Sequence, residues 1–226
     1  VYFMANVFCT GQITADQLEH VKEQIAKQTI QPTWAIFYID DDPATGIDNR
    51  RRRIAENHQY LVELVKRQKC DYVWQIEGDS VIPPDALEKL ISTAKKLKDF
   101  GFITGVQIGR HGVYCIGAWH IDNDRKRFKS VDYRRTGLIE IDASGWYCML
   151  AKKDVWLKGR ASWTDERYGP DVVWGLTIKE PKYIDMAVKI GHKTSRGIIS
   201  VDDKSTCNAE FTYKNSENRW IFKEIG

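Results

Sequence analysis

The sequence predicts a single α/β domain, and three observations support that prediction. The chain opens with two β-rich runs, residues 2–8 and 34–39, on either side of an amphipathic stretch at about residues 14–28. A strand, a helix and a strand in this order predict a right-handed βαβ unit with parallel strands. A third β-rich run, residues 71–76, has the length and apolar character of a buried strand. With 226 residues, 42% apolar and 29% charged, the chain has the size and composition of one globular domain.

The predicted helices follow from apolar residues spaced three and four positions apart. Leu18, Val21 and Ile25 give the first helix one apolar face. A second helix is predicted over residues 49–68. A third begins after Pro83, because proline is tolerated in a first helical turn.

The second half of the sequence predicts further strands, one loop and a tail. Residues 122–135 are polar and basic and predict a surface loop. Residues 208–226 predict an irregular tail, and Asp171 predicts the start of a short helix. The predicted strands cover residues 100–108, 113–119, 138–141, 146–151, 183–191 and 198–201.

Two carboxylates follow the third predicted strand directly. Residues two apart on an extended chain share a face, so Glu77 and Asp79 can point at one position, and Gly78 lets a ligand approach the backbone. Carboxylate oxygens placed in this way suit a hard divalent cation such as Mn²⁺ or Mg²⁺.

Ligands of parallel sheets bind outside the carboxyl ends of the strands. Thr10, Gly11, Asp40 and Asp42 are expected there, after the first two strands. Four arginines, residues 50–53, crowd the start of the second helix, where the helix dipole favours anions. This pattern predicts a negatively charged ligand nearby, such as a diphosphate.

The third strand, its acidic turn and the Pro83-Pro84-Asp85 helix start resemble the segment around the Asp-x-Asp motif of GT-A fold nucleotide-sugar glycosyltransferases, with Glu77 in place of the first aspartate. The resemblance extends in order over roughly residues 1–200 and is to inverting, family 2-like enzymes. It implies a Rossmann-like mixed sheet, mostly parallel and flanked by helices. About residues 1–110 would bind the nucleotide-sugar, with a UDP-sugar favoured, and about residues 111–226 would bind the acceptor and form the tail.

The resemblance also implies roles for particular residues. Asp171, at a short helix start, matches the catalytic base of a hexosyltransferase, although Pro170 replaces the acid that usually precedes it; Asp165 and Glu166 are the reserve candidates. His192, after a late strand, matches the remaining metal ligand beside Glu77 and Asp79. The residues expected to bind the donor are Thr10, Gly11, Asp40, Asp42, Arg50, Arg53 and Glu77.

The predicted acceptor is a hydroxylated base in DNA, such as a hydroxymethylpyrimidine. Phe128 and Tyr133 can stack on an unpaired base, and the neighbouring cations can contact phosphates. The cations are Arg125, Lys126, Arg127, Lys129, Arg134 and Arg135. A glycan or small-molecule acceptor is the alternative within the same class of enzyme. A nucleotidyltransferase and a non-catalytic nucleic-acid-binding module are the alternatives of other classes, and the first usually has a Gly-rich basic loop that residues 9–12 lack.

The composition of the chain and the motifs it lacks narrow the class of protein. The formal net charge of +3 does not by itself identify a polyanionic partner. The five cysteines form no C-x-x-C pair, which favours reduced thiols over a disulfide framework. The sequence contains no run long enough to span a membrane, no signal peptide pattern, and neither a P-loop nor a G-x-S-x-G motif. A cytoplasmic enzyme is therefore expected.

Overall fold

The structure, a computed structural model, describes residues 5–41, 46–110, 114–122, 124, 127–164, 167–203, 206–214 and 219–225. In these ranges the helices are α1 (Leu18–Ala26), α2 (Ile47–Lys66), α3 (Ala86–Lys96), α4 (Lys153–Lys158) and α5 (Pro170–Thr177). The strands of the first half are β1 (Val7–Ile13), β2 (Trp34–Ile39), β3 (Tyr72–Ile76), β4 (Ser80–Val81), β5 (Phe102–Val106) and β6 (Ile108–Arg110). Those of the second half are β7 (Tyr114–Ile116), β8 (Ala118–Ile121), β9 (Arg127–Ser130), β10 (Leu138–Ile141), β11 (Ala143–Ser144), β12 (Cys148–Lys152), β13 (Lys182–Lys189), β14 (Gly191–Thr194), β15 (Gly197–Ile199), β16 (Asn208–Lys214) and β17 (Arg219–Ile225).

The main sheet is mixed. Its seven described strands lie in the order β10-β13-β5-β12-β3-β1-β2. β1 pairs in parallel with both β2 and β3, as the predicted βαβ start requires. β12 is antiparallel to both of its neighbours, β10 is antiparallel to β13, and β13 is parallel to β5. The described pairings therefore divide evenly between the two directions, and the sheet is mixed rather than mostly parallel.

Apolar residues alternate along the central strands and form two core clusters. Val73 of β3 belongs to the cluster that includes residues of α2, α4 and α5, whereas Trp74 belongs to the cluster that includes residues of α1 and α3. Successive side chains of a strand point to opposite faces, so both faces of the main sheet are buried. None of the described helices has the length and apolar character needed to cross a membrane.

The first strand differs from its prediction. β1 starts at Val7 and continues to Ile13, past residue 8, where the predicted strand ends. It is held on both sides, by β2 and by β3, and Gly11 fits this position because a Cβ atom there would collide with the carbonyl oxygen of Ile76. Residues 2–4 of the predicted strand lie outside the described residues.

The predicted basic loop and irregular tail are also corrected, because both contain strands. β9 pairs with β8 and β16, and β16 pairs with β17, in a five-stranded sheet. The side chains of β9 alternate between the two faces of this sheet. Phe128 is half-buried and stacks on Phe211 of β16 with ring centroids 4.5 Å apart, while Arg127 and Lys129 are exposed.

Candidate active site

A cleft of about 520 Å³ lies where β1, β2 and β3 end. Its volume is within the range typical of small-molecule sites. Its position outside the carboxyl ends of parallel strands is the one expected for a ligand of such a sheet. The lining residues are Gln12, Ile13, Thr14, Gln17, Asp40, Arg50, Arg53, Ile54, Gln75, Ile76, Glu77, Gly78, Asp79, Trp146 and His192.

One side of the cleft is an ionic network anchored on Asp40. Its carboxylate forms an ion pair with the half-buried Arg53, and Asn57 donates a hydrogen bond to Oδ2 at 2.6 Å. Gln12 of β1 donates to the carbonyl of Ile54 on α2 at 2.9 Å. These bonds tie β1, the end of β2 and the first turns of α2 together, so the arginine is held in place before a ligand arrives.

The helix separates the four arginines by direction. Residues three apart lie on one face, and accordingly Arg50 and Arg53 both line the cleft. Arg52 is exposed and pairs with Glu56 one turn later at 2.8 Å. Arg51 lines a second pocket beside α5. Sequence alone could not distinguish these four cations, and the start of α2 places two of them in the cleft, one at the second pocket and one on the exposed side.

The other side of the cleft is the acidic turn after β3. A Cβ atom on Gly78 would collide with the side chain of Gln17, so glycine allows the turn to pack closely against the residues before α1. The short strand β4 follows and pairs with β14, with His192 opposite Ser80. The amide of Lys193 donates to the carbonyl of Asp79 at 2.8 Å. This pairing brings His192 beside Asp79, 113 residues away in sequence.

The imidazole of His192 faces the carboxylate of Asp79. Nε2 lies 3.1 Å from Asp79 Oδ2, and Nδ1 lies 2.8 Å from the carbonyl oxygen of Ile108. A carbonyl only accepts hydrogen bonds, so it assigns the proton of a neutral ring to Nδ1 and directs the lone pair of Nε2 at the carboxylate. In this tautomer the lone pair of Nε2 and the carboxylate of Asp79 are arranged as two ligands of one cation could be.

This pair fits a divalent metal. Ligands about 2.1 Å from an octahedral ion lie roughly 3 Å apart when adjacent, which matches the observed separation. A ligating histidine usually donates its other N–H to a carbonyl, as Nδ1 does here. Among the residues that the structure describes, no three His, Cys, Asp or Glu side chains form a group that could hold a metal ion. Glu77 lines the same cleft, and its place as a third ligand stays a prediction.

Asp171 lies in the first turn of α5, two residues after the N-cap Gly169. Burial raises the pKa of its carboxyl, and the charge of Arg51 lowers it to a smaller extent. A Cβ atom on Gly145, which precedes the cleft residue Trp146, would lie 3.5 Å from Asp171 Oδ2. Gly169 and Val172 line the second pocket. Asp171 itself lines neither cavity.

Beneath the cleft, His58 is surrounded by three tryptophans. Its ring stacks on Trp146, with centroids 4.5 Å apart, and also contacts Trp156 and Trp174. Sequence analysis missed His58 and Trp146. The helical spacing of His58 with Leu61 and Val65 would have placed it on the buried face of α2.

The remaining predicted site residues lie elsewhere. Thr10 is fully buried in β1 and donates to the carbonyl of Ile36 at 2.8 Å, and neither it nor Gly11 lines the cleft. The next residues along the chain do so instead, because β1 is longer than predicted. The predicted residues that fall outside the described ranges are Asp42, Arg125, Lys126, Asp165 and Glu166.

The described cations of the predicted DNA-binding stretch have acidic neighbours. Arg127 pairs with Asp122 at 2.9 Å and Lys129 with Glu210 at 3.2 Å. Arg134 pairs with Asp132, which holds the pKa of that carboxyl well below its usual range. Arg135 is exposed. These ion pairs partly neutralise the positive charge that was predicted to contact DNA phosphates.

Neither the known family models nor the curated proteins contain a match to this chain. Among solved structures, the crystal structure of A197 from STIV is similar, with a TM-score of 0.52 and 12% sequence identity. The alignment covers 99% of this chain and 96% of that chain. At this identity the likeness shows a shared fold alone.

Proposed function

We propose that this chain is a metal-dependent glycosyltransferase that moves a sugar from a nucleotide-sugar to an acceptor hydroxyl. The observation that carries the proposal is the composition of the cleft, where the Asp79–His192 pair faces the same space as Arg50 and Arg53. A diphosphate needs cations, yet Glu77 and Asp79 would repel it. A divalent ion bound by Asp79 and His192 resolves this conflict, because such ions commonly use one or two protein ligands and complete their shell with substrate phosphates.

Different residues of the cleft would then bind different parts of the donor. Arg50 and Arg53 are suited to the diphosphate, because guanidinium groups form strong charge-assisted hydrogen bonds to phosphate. Asp40 accepts bonds from Arg53 and Asn57, and it is placed to accept further ones from the base or ribose. A bound divalent ion would supply charge neutralisation for the departing diphosphate.

Asp171 is proposed as the general base. The acceptor oxygen forms a bond to the anomeric carbon while the bond from that carbon to the diphosphate oxygen breaks. The nucleoside diphosphate leaves with the electron pair, and Asp171 takes the proton of the acceptor hydroxyl, which gives a product of inverted configuration. The raised pKa suits this role, because a base works best when its pKa lies near the working pH.

A panel of nucleotide-sugars tests the proposal. With Mn²⁺ or Mg²⁺ present, we expect slow release of a nucleoside diphosphate from at least one donor without an acceptor, and no release with excess chelator. Release of pyrophosphate from a nucleoside triphosphate and a sugar phosphate would instead identify a nucleotidyltransferase. No turnover of any nucleotide-sugar, with or without candidate acceptors, would contradict the proposal.

A further inference from the structure

Two glutamines that line the cleft lie on one face of the main sheet. Gln75 of β3 is opposite Thr10 of β1, and Gln12 follows two residues later on β1. Residues two apart on a strand share a face, so both side chains project toward α2 and α4. With strands about 4.8 Å apart and a rise of about 3.3 Å per residue, the two Cα atoms lie roughly 8 Å apart. One ligand ring can therefore contact both amides.

The amide of Gln75 presents a hydrogen-bond donor to the cleft. Its Oε1 accepts a bond from the indole Nε1 of Trp156 at 2.9 Å, and because an indole N–H only donates, this bond fixes the orientation of the amide. Nε2 forms no hydrogen bond with any other residue that the structure describes. The residue is 2% exposed, yet the fully buried polar atoms that lack a partner belong to His58 and three tryptophans, so Nε2 keeps access to the cleft.

The amide of Gln12 presents an acceptor instead. Its Nε2 donates to the carbonyl oxygen of Ile54 at 2.9 Å, and because a carbonyl only accepts, Oε1 is the atom left for a ligand. Oε1 likewise has no hydrogen-bond partner among the described residues. Trp146, whose ring stacks on His58, adds an aromatic surface to the same cleft.

A neutral hydroxylated ring matches these groups. A hydroxyl group both accepts and donates hydrogen bonds, so neighbouring hydroxyls can accept from Gln75 and donate to Gln12. The apolar C–H face of a sugar can pack on an aromatic ring. Neither amide carries a charge, so neither would neutralise a phosphate.

We propose that Gln75 recognises the transferred sugar of the donor by donating from Nε2 to one of its hydroxyl oxygens, while Gln12 accepts from a neighbouring hydroxyl. Position distinguishes the sugar from the nucleobase. Trp146 follows Gly145, where a Cβ atom would lie 3.5 Å from Asp171 Oδ2, so this end of the cleft lies toward the proposed base. The reacting sugar must lie on that side. The inference rests on the proposed function, and it makes Gln75 a residue that selects the donor by its sugar.

Calorimetric titration measures the contributions of the sugar and the nucleotide separately. With Mn²⁺ present, UDP-glucose, UDP-galactose, UDP-N-acetylglucosamine and GDP-mannose are each compared with their free nucleoside diphosphate. Gln75→Met removes the donor and keeps the length and charge of the side chain. In this variant the tightest-binding nucleotide-sugar should bind about 2- to 15-fold more weakly, while its free nucleotide should bind as in wild type. A merely structural role for Gln75 would weaken both.

Gln68→Met is the matched control. Gln68 also donates from Nε2 to a carbonyl of α2, that of Leu64, but it lies beyond the end of the helix and outside the cleft. This variant should change neither affinity. The thermal unfolding midpoint of Gln75→Met checks that its fold is retained.

A second measurement needs no variant. Each monodeoxy analogue of the tightest-binding nucleotide-sugar lacks one hydroxyl of the sugar. At least one analogue should bind wild type about 2- to 15-fold more weakly than the parent compound. The same analogue should bind Gln75→Met as well as the parent does, because the hydrogen bond is already lost there.

The inference is wrong if Gln75→Met weakens the free nucleotide as much as the nucleotide-sugar or weakens neither, if every monodeoxy analogue binds wild type like the parent, or if no nucleotide-sugar binds. Turnover of a nucleotide-sugar that is indifferent to Gln75→Met would leave the glycosyltransferase proposal standing and remove this role of Gln75. The predicted losses of affinity without any turnover would keep the sugar-binding role and remove the glycosyltransferase proposal.

Discussion

His58 should make the folded protein sensitive to acid, because it is a neutral imidazole in an aromatic enclosure. The side chain is fully buried, and neither ring nitrogen has a hydrogen-bond partner among the described atoms. Burial lowers its pKa from 6.5 to about 3, since the charged form would lose its hydration. Protonation of this ring is therefore far easier in the unfolded chain than in the folded one.

The size of the effect follows from this pKa. One pKa unit corresponds to about 1.36 kcal/mol, so lowering the pKa of His58 from 6.5 to about 3 corresponds to roughly 5 kcal/mol of unfolding free energy. The unfolded chain binds the proton below pH 6.5, and the folded chain does so only near pH 3. This stability is complete above pH 6.5 and is lost as the pH falls toward 3. It is a large share of the roughly 5–15 kcal/mol by which domains are stable.

Urea unfolding of wild type and His58→Phe at pH 7 and pH 4.5 measures this loss. The phenyl ring keeps the contacts with the tryptophans and cannot titrate. Between the two pH values, wild type should lose roughly 3 kcal/mol more than the variant. Carboxylates titrate alike in both proteins and cancel in the comparison. His120→Gln, at an exposed position of β8, should behave as wild type. An equal fall in wild type and His58→Phe would refute the reasoning.

Three further predictions concern the proposed chemistry. Asp171→Asn should lower the rate of sugar transfer about 10²- to 10⁴-fold without lowering thermal stability at neutral pH, because it removes a charge that burial disfavours. The transfer rate of wild type should fall as the pH drops through the raised pKa of Asp171. Near-normal turnover by the variant, or a product of retained configuration, would exclude Asp171 as the base. Arg53→Ala should raise the donor KM about 10- to 100-fold, whereas Arg52→Ala should leave it unchanged. Equal effects of the two variants would show that Arg53 does not bind the donor. Duplex DNA should bind in a salt-dependent manner in a filter assay, and no association at low salt would remove the predicted DNA acceptor.

Much of the fold could be predicted because the signals were local. The run Trp34–Ile39 is a strand with the predicted bounds, and α2 differs from its prediction by two residues at each end. β1 runs beyond its predicted end at residue 8 because pairing with β2 and β3 on both sides extends the strand past Gly11. β9 was missed because its basic side chains face outward and only Phe128 packs inward.

The candidate site was partly predictable for the same reason. The acidic turn and Asp40 follow strand ends, so a parallel βαβ start places them at one edge of the sheet. The distance between Asp79 and His192 depends on the pairing of β4 with β14, which has no local signal. The separate directions of the arginines depend on where α2 begins, and the pocket around Phe128 forms only when β8, β9 and α5 meet.

Calorimetric titration with UDP, with and without Mn²⁺, tests the central proposal most directly, because the donor cleft is proposed to hold a diphosphate through a metal. We expect binding with Mn²⁺, loss of binding with excess chelator, and at least tenfold weaker Mn²⁺-dependent binding in Asp79→Asn and His192→Gln. UDP binding that is indifferent to metal, or that both variants leave unchanged, would contradict the metal-dependent donor site.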